Sequence, residues 1–124
     1  MSIVGVGLDI IELEKFERFY SPDDSDLLER CFTVVELADI EGSPNWTARL
    51  AGRFAAKEAV LKVLGGLRQG LAWTDIEIAL VNERPELRLA GMAKSLADEL
   101  NVASWNLSLT HTEKFAAAVA IASR

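Results

Sequence analysis

Glu58 and Lys62 stand one helical turn apart in the run Leu50-Ala51-Gly52-Arg53-Phe54-Ala55-Ala56-Lys57-Glu58-Ala59-Val60-Leu61-Lys62. At about 100° per residue, Leu50, Phe54 and Leu61 form one narrow stripe, and Ala51, Gly52, Ala55, Ala56 and Ala59 cover much of the rest. Arg49, Arg53 and Lys57 flank the large apolar stripe on one side, Glu58 and Lys62 on the other. Apolar surface on most sides means burial, and an ionised group buried without a partner is costly. Glu58 and Lys62 therefore need a ligand, an ion or each other. A second carboxylate, Asp9, shares a strand face with Gly5 and Gly7, whose missing side chains leave room for something to approach it. Two carboxylates suit a hard cation such as Mg²⁺, which prefers oxygen ligands and often takes only one or two from protein. A plainer reading also fits: Glu58 and Lys62 as an i,i+4 helix pair, with Asp9 capping the next helix. Spacing alone leaves both open.

Arg53, Lys57 and Lys62 with His111 suggest phosphate, which Lys meets as a point charge and Arg as a two-pronged fork. His111 is the only histidine and ends the segment Ser108-Leu109-Thr110-His111, in step with Leu107 and Leu109, so it reads equally as a silent histidine at the edge of the core. Other chemistries lack their residues. No Gly-x-x-x-x-Gly-Lys-Ser/Thr occurs, and Gly5-Val6-Gly7 lacks the third glycine of a dinucleotide fingerprint. Cys31 and His111 alone make neither a zinc cluster nor a good thiol catalyst. Trp46, Trp73 and Trp105 are scattered, without the basic–aromatic interleaving of a single-strand binder.

The elements that must position these groups follow from pattern. Ile3–Ile11 reads as a strand with Val4, Val6, Leu8 and Ile10 on one face. Residues 12–20 read as a helix with Leu13, Phe16 and Tyr20 inward, ended by Ser21-Pro22-Asp23-Asp24, and a short helix covers residues 26–31. Thr33-Val34-Val35-Glu36 is a capping-box pattern that starts a third helix, closed by Gly42-Ser43-Pro44. The long central helix spans about residues 46–64, with Gly65-Gly66 as its stop. Strands at 75–80 and 86–89 surround a turn at 82–85; Met92, Leu96 and Leu100 mark a helix; the last strands are 104–111 and 116–122. Helices and strands interleave without a regular βαβ repeat, which predicts an α+β fold with a mainly antiparallel sheet against the central helix.

The 124 residues amount to one domain, 1–124, and half of them are hydrophobic. A single cysteine suits a reducing compartment, the first basic residue is Lys15, and the longest apolar stretch, 115–122, is far short of a membrane span. A cytoplasmic protein with no membrane partner is expected. Residues 1–46 hold 11 acidic and 3 basic side chains, whereas residues 47–74 hold Arg49, Arg53, Lys57, Lys62 and Arg68 against Glu58 alone. That asymmetry favours a specific anionic ligand over nucleic acid.

Three segments together resemble the holo-acyl-carrier-protein synthase type of 4′-phosphopantetheinyl transferase. They are Val6-Gly7-Leu8-Asp9-Ile10-Ile11-Glu12, Leu50 to Ala59 with its Phe-x-x-Lys-Glu motif, and Ser108-Leu109-Thr110-His111-Thr112. The resemblance covers the whole chain and implies that fold. It also implies transfer of the phosphopantetheine arm of coenzyme A to a serine of an apo acyl carrier protein, releasing adenosine 3′,5′-bisphosphate. On it, Asp9 and Glu58 hold Mg²⁺ on the pyrophosphate, Glu58 helps deprotonate the serine, and Lys62 steadies the pyrophosphate and leaving group. Arg53, His111 and Thr112 meet the 3′-phosphate end, Lys57 adds positive charge nearby, and a homotrimer carries its sites between subunits. The chain departs from the family pattern at Glu83-Arg84-Pro85, which lacks a usual glycine, and at Lys15, where an arginine is common. Glu12, Glu14, Glu17, Asp23, Asp24 and Asp26 make the carrier-docking region acidic, which implies a carrier less acidic than usual. The rival function is a module that binds coenzyme A or a carrier without catalysis.

Overall fold

The computed structural model describes residues 2–124. Its elements run β1 (Ile3–Glu12), α1 (Leu13–Phe19), α2 (Ser25–Cys31), α3 (Val34–Ile40), α4 (Trp46–Leu64), β2 (Ile76–Val81), β3 (Arg84–Leu89), α5 (Gly91–Glu99), β4 (Ser104–His111) and β5 (Phe115–Ser123). All strand pairs are antiparallel, in a three-stranded sheet of order β1-β5-β4 and a separate β2-β3 hairpin. The α+β architecture around a long helix is the expected one, with its strands divided between two sheets.

Helix α4 ends where Gly65 turns left-handed (φ 99°) and the Gly66 N–H donates to the Leu61 carbonyl at 2.8 Å. Asn82 and Glu83 both have positive φ, so the hairpin turn needs only two residues. β3 therefore begins at Arg84 and includes Pro85, two residues earlier than the alternation suggests. In α5 the deepest residues are Ala93 and Ala97, while Met92, Leu96 and Leu100 pack around them half-buried.

Small residues set the central contact. Ala55, Ala56 and Ala59 of α4 pack with Ala118 and Ala120 of β5 in one apolar cluster, and Ala51 with Ala116 in a second. At Gly7 the approach is closest: a Cβ there would stand 1.8 Å from the Ala59 carbonyl oxygen. The room that the glycines leave beside Asp9 is filled by α4 itself. The other face of β1 has no cover in the single chain, for Val6, Leu8 and Ile10 are 59%, 64% and 65% exposed. Helix α3 closes the outer edge of the hairpin with carboxylates: the Ile78 N–H donates to Glu36 Oε2 (2.9 Å) and the Leu80 N–H to Asp39 Oδ2 (3.3 Å).

Gly7→Ala forces α4 off the sheet, and neither backbone can yield cheaply. We expect a loss of about 3 kcal/mol or more in urea unfolding, whereas Gly52→Ala, where the added carbon meets only Leu109 Cδ2 at an ordinary 3.6 Å, loses far less.

Candidate active site

The contact of Gly7 with Ala59 brings Asp9 of β1 beside the exposed side of α4. Lys62 Nζ donates to the Leu8 carbonyl at 2.6 Å and to Asp9 Oδ1 at 3.3 Å, so this lysine reaches across to the strand. No Glu58–Lys62 ion pair forms among the described residues, and the N-cap of α1 is Glu12, with no side-chain cap hydrogen bond, so Asp9 does not cap it. The plainer reading of these three residues is thereby displaced. Glu58 is half-buried, and its carboxyl is pushed above the ordinary glutamate value by burial first and by the Asp9 charge second, with Lys62 opposing. A neighbouring carboxylate makes Glu58 costlier to ionise, a cost that a divalent cation bound beside it would relieve.

Among the described residues no three His, Cys, Asp or Glu side chains gather at one point. Protein would thus supply two oxygen-bearing groups, the number suited to Mg²⁺ that keeps water and phosphate oxygens for its remaining positions. The residues fit that ion.

His111 and Thr112 lie elsewhere, on a cavity of about 570 Å³ lined also by Leu13, Glu17, Thr47 and Ala48. The first turn of α4 faces this cavity, Asn45 gives it no side-chain cap, and the N–H groups of a helix's first turn have no intrahelical acceptor. The positive end of the helix macrodipole therefore joins His111 as an anion-favouring feature. Thr112 Oγ1 accepts from the backbone N–H groups of Lys114 (3.2 Å) and Phe115 (3.1 Å), which fixes the turn and leaves the hydroxyl proton free to donate. His111 pairs with Ala116 and Asp9 with Ala118, two strands apart across the sheet. Asp9, Glu58 and Lys62 do not line the cavity.

Two of the residues expected near the phosphates, Arg53 and Lys57, lie apart from both groups. Lys57 is fully buried: its ammonium meets Glu36 Oε1 at 2.7 Å and donates to the carbonyls of Cys31 (2.8 Å) and Trp73 (3.1 Å). All three N–H bonds are committed inside the protein, so none is left for a phosphate. Burial pulls the ammonium down and Glu36 opposes that pull. Arg53 is 4% exposed on the same side of α4, with Nη1 donating to the Arg49 carbonyl at 3.2 Å and Nη2 3.7 Å from Asp39. Both side chains face α3, away from Glu58. The sequence marks Glu36 only as the N3 residue of a capping box, which does form; its role as partner to Lys57 is legible only in the rule that a buried ammonium needs a counter-ion.

Between Phe54 and the N-terminal helices lies an aromatic cluster, with Phe54 ring centroids 4.8 Å from Trp73, 5.7 Å from Tyr20 and 6.0 Å from both Phe16 and Phe32. It packs the turn preceding Glu58, and burial raises the Tyr20 hydroxyl.

Because the folded state holds a proton on Glu58 more tightly than the unfolded chain, its contribution to stability is full below about pH 4.5 and lost as pH rises through the higher folded value. We expect Glu58→Gln to flatten that loss in metal-free protein and to raise the melting temperature at neutral pH.

Comparison with known proteins gives the arrangement a family. Residues 5–120 match the model of the 4′-phosphopantetheinyl transferase superfamily. A holo-[acyl-carrier-protein] synthase of Geobacter metallireducens is 41% identical over 126 residues, 98% of each chain. The crystal structure of the corresponding synthase from Neisseria meningitidis superposes with a TM-score of 0.87 at 27% identity, covering 99% of this chain and 100% of that one. A Helicobacter pylori synthase solved in complex with coenzyme A gives 0.82 at 29%, covering 96% and 100%. Sequence and fold agree over almost the full length, and the chain belongs to the 4′-phosphopantetheinyl transferase superfamily as a relative of its holo-[acyl-carrier-protein] synthases.

Proposed function

We propose that this chain, acting as one transferase domain over residues 1–124, moves the 4′-phosphopantetheine arm of coenzyme A onto a serine of an apo acyl carrier protein. The observation that carries the reading is the Asp9–Glu58 carboxylate pair with Lys62 laid across Asp9 where α4 meets β1. Mg²⁺ held by Asp9 and Glu58 would neutralise the diphosphate, the main demand of phosphoryl transfer. Glu58 takes the proton of the attacking serine, whose oxygen bonds to the phosphorus nearer the pantetheine. The phosphorus–oxygen bond to adenosine 3′,5′-bisphosphate breaks, and Lys62 balances the charge on that leaving group. His111 and Thr112, with the first turn of α4, receive the 3′-phosphate end. Lys57 has no direct part, its ammonium being committed to Glu36 and to the Cys31 and Trp73 carbonyls.

The working form is a homotrimer with its sites between subunits. Supporting this are the exposed Val6, Leu8 and Ile10 on β1 and the separation, within one chain, of the His111 cavity from Asp9, Glu58 and Lys62. A buried lone cysteine accords with the cytoplasm. The carrier presents a less acidic face than usual, since both cations of α1 are paired with carboxylates of their own segment, Lys15 with Glu12 (3.7 Å) and Arg18 with Glu14 (3.2 Å). The same acidity favours a second reading, a module that binds coenzyme A or a carrier without turnover.

Incubation with coenzyme A, Mg²⁺ and apo carrier, followed by mass spectrometry, decides between them: the carrier gains the arm's mass if the enzyme reading holds. Glu58→Gln lowers kcat by about 10² or more while coenzyme A still binds, and tight binding with no transfer to any carrier of the same genome favours the module. Leu8→Asp yields monomers by light scattering; an unchanged mass overturns the trimer.

A further inference from the structure

Glu58 is flanked in the chain by two residues that are clamped from opposite sides. On one side, the Ala59 carbonyl touches Gly7 of β1. On the other, Lys57 is held by Glu36 of α3, by the Cys31 carbonyl at the end of α2 and by the Trp73 carbonyl. Glu36 is itself fixed at both oxygens, since Oε1 also accepts from the Thr33 N–H (2.8 Å) and Oε2 from the Ile78 N–H. Neither Lys57 nor Glu36 has any exposed surface.

We infer that the Lys57–Glu36 pair is a positioning device that sets the rotation of α4, and with it the direction in which Glu58 meets Asp9. Where α4 meets β5 the contact is alanine on alanine, and small side chains interlock weakly, so that face does little to fix the rotation of the helix about its axis. Directional, charge-assisted hydrogen bonds do stop it, and these are aimed at four chain segments at once. A rotation of about 20° would carry a carboxylate roughly 2 Å along its arc at a side-chain radius of about 6 Å, and a shift of about 1 Å is enough to spoil a reacting geometry. The pair touches neither the diphosphate nor the serine; it acts through Glu58. A buried ion pair is not needed for stability alone, since apolar replacements of similar volume are often neutral.

The inference rests on the proposed carboxylate site, and the test separates the two. In the double variant Glu36→Gln/Lys57→Met, the amide oxygen keeps an acceptor for one of the two backbone N–H groups and the thioether fills the lysine's space. Mn²⁺ binding is read by paramagnetic resonance, folding by melting, and kcat and KM by transfer. We expect a cooperative melt, Mn²⁺ affinity weakened by about tenfold or more, and kcat reduced with KM for coenzyme A within about twofold. Val60→Ala, a buried residue of α4 without polar bonds, serves as the control: it lowers the melting temperature and leaves Mn²⁺ affinity unchanged. Equal loss of Mn²⁺ affinity in Val60→Ala at matched melting temperature overturns the inference, as does wild-type affinity in the double variant. If the double variant does not fold, Glu36→Gln alone decides, with at least threefold weaker Mn²⁺ binding expected and none overturning it. Wild-type protein that binds neither Mn²⁺ nor coenzyme A fails the proposed function instead.

Discussion

A helix packed nearly all round can keep charged groups only where each has an answer, and α4 gives a different answer on each side. Toward α3, Lys57 is neutralised by Glu36 and met by two carbonyl acceptors, while Arg53 lies against Asp39 with its Nε and Nη2 lacking hydrogen bonds. Toward β1, Glu58 and Lys62 meet Asp9 at a partly open seam. The Lys57 set closes on itself. The seam toward β1 stays available for chemistry, because only there does the surrounding sheet offer a carboxylate instead of completing a cage.

That distinction explains what the sequence could and could not reveal. The wheel placed Arg53 and Lys57 on one side of the large apolar stripe and Glu58 and Lys62 on the other, and both sides look equally charged when read alone. What separates them is the identity of the neighbour: Glu36 lies 21 positions upstream of Lys57, a distance no periodicity bridges. The glycines beside Asp9 pointed to a close approach, and the approaching body is α4 rather than a ligand. Helix limits were legible where stop signals are strong, as at Gly65-Gly66. The start of β3 was not, since a two-residue turn with positive φ at Asn82 and Glu83 is an unusual use of glutamate.

The outward aliphatic face of β1 reverses the common expectation for an edge strand. Alternation alone would turn Val6, Leu8 and Ile10 toward the core and leave the glycines outside. The glycine side faces inward because only hydrogen atoms fit beneath Ala59, and the bulky side chains are thereby driven to the surface. The close helix contact and the exposed apolar patch are one decision, made by the same alternating residues.

The carboxylates of α3 that take up the Ile78 and Leu80 N–H groups have a consequence for the hairpin as a surface. An unpaired strand edge is a template on which another chain can add. Here alternate donors along β2 are already claimed by side chains from a helix, and Glu36 and Asp39 bring negative charge to the same line. The β2-β3 ribbon is thus closed to growth on that side, so two strands can lie beside the helices without recruiting a third from a neighbouring molecule.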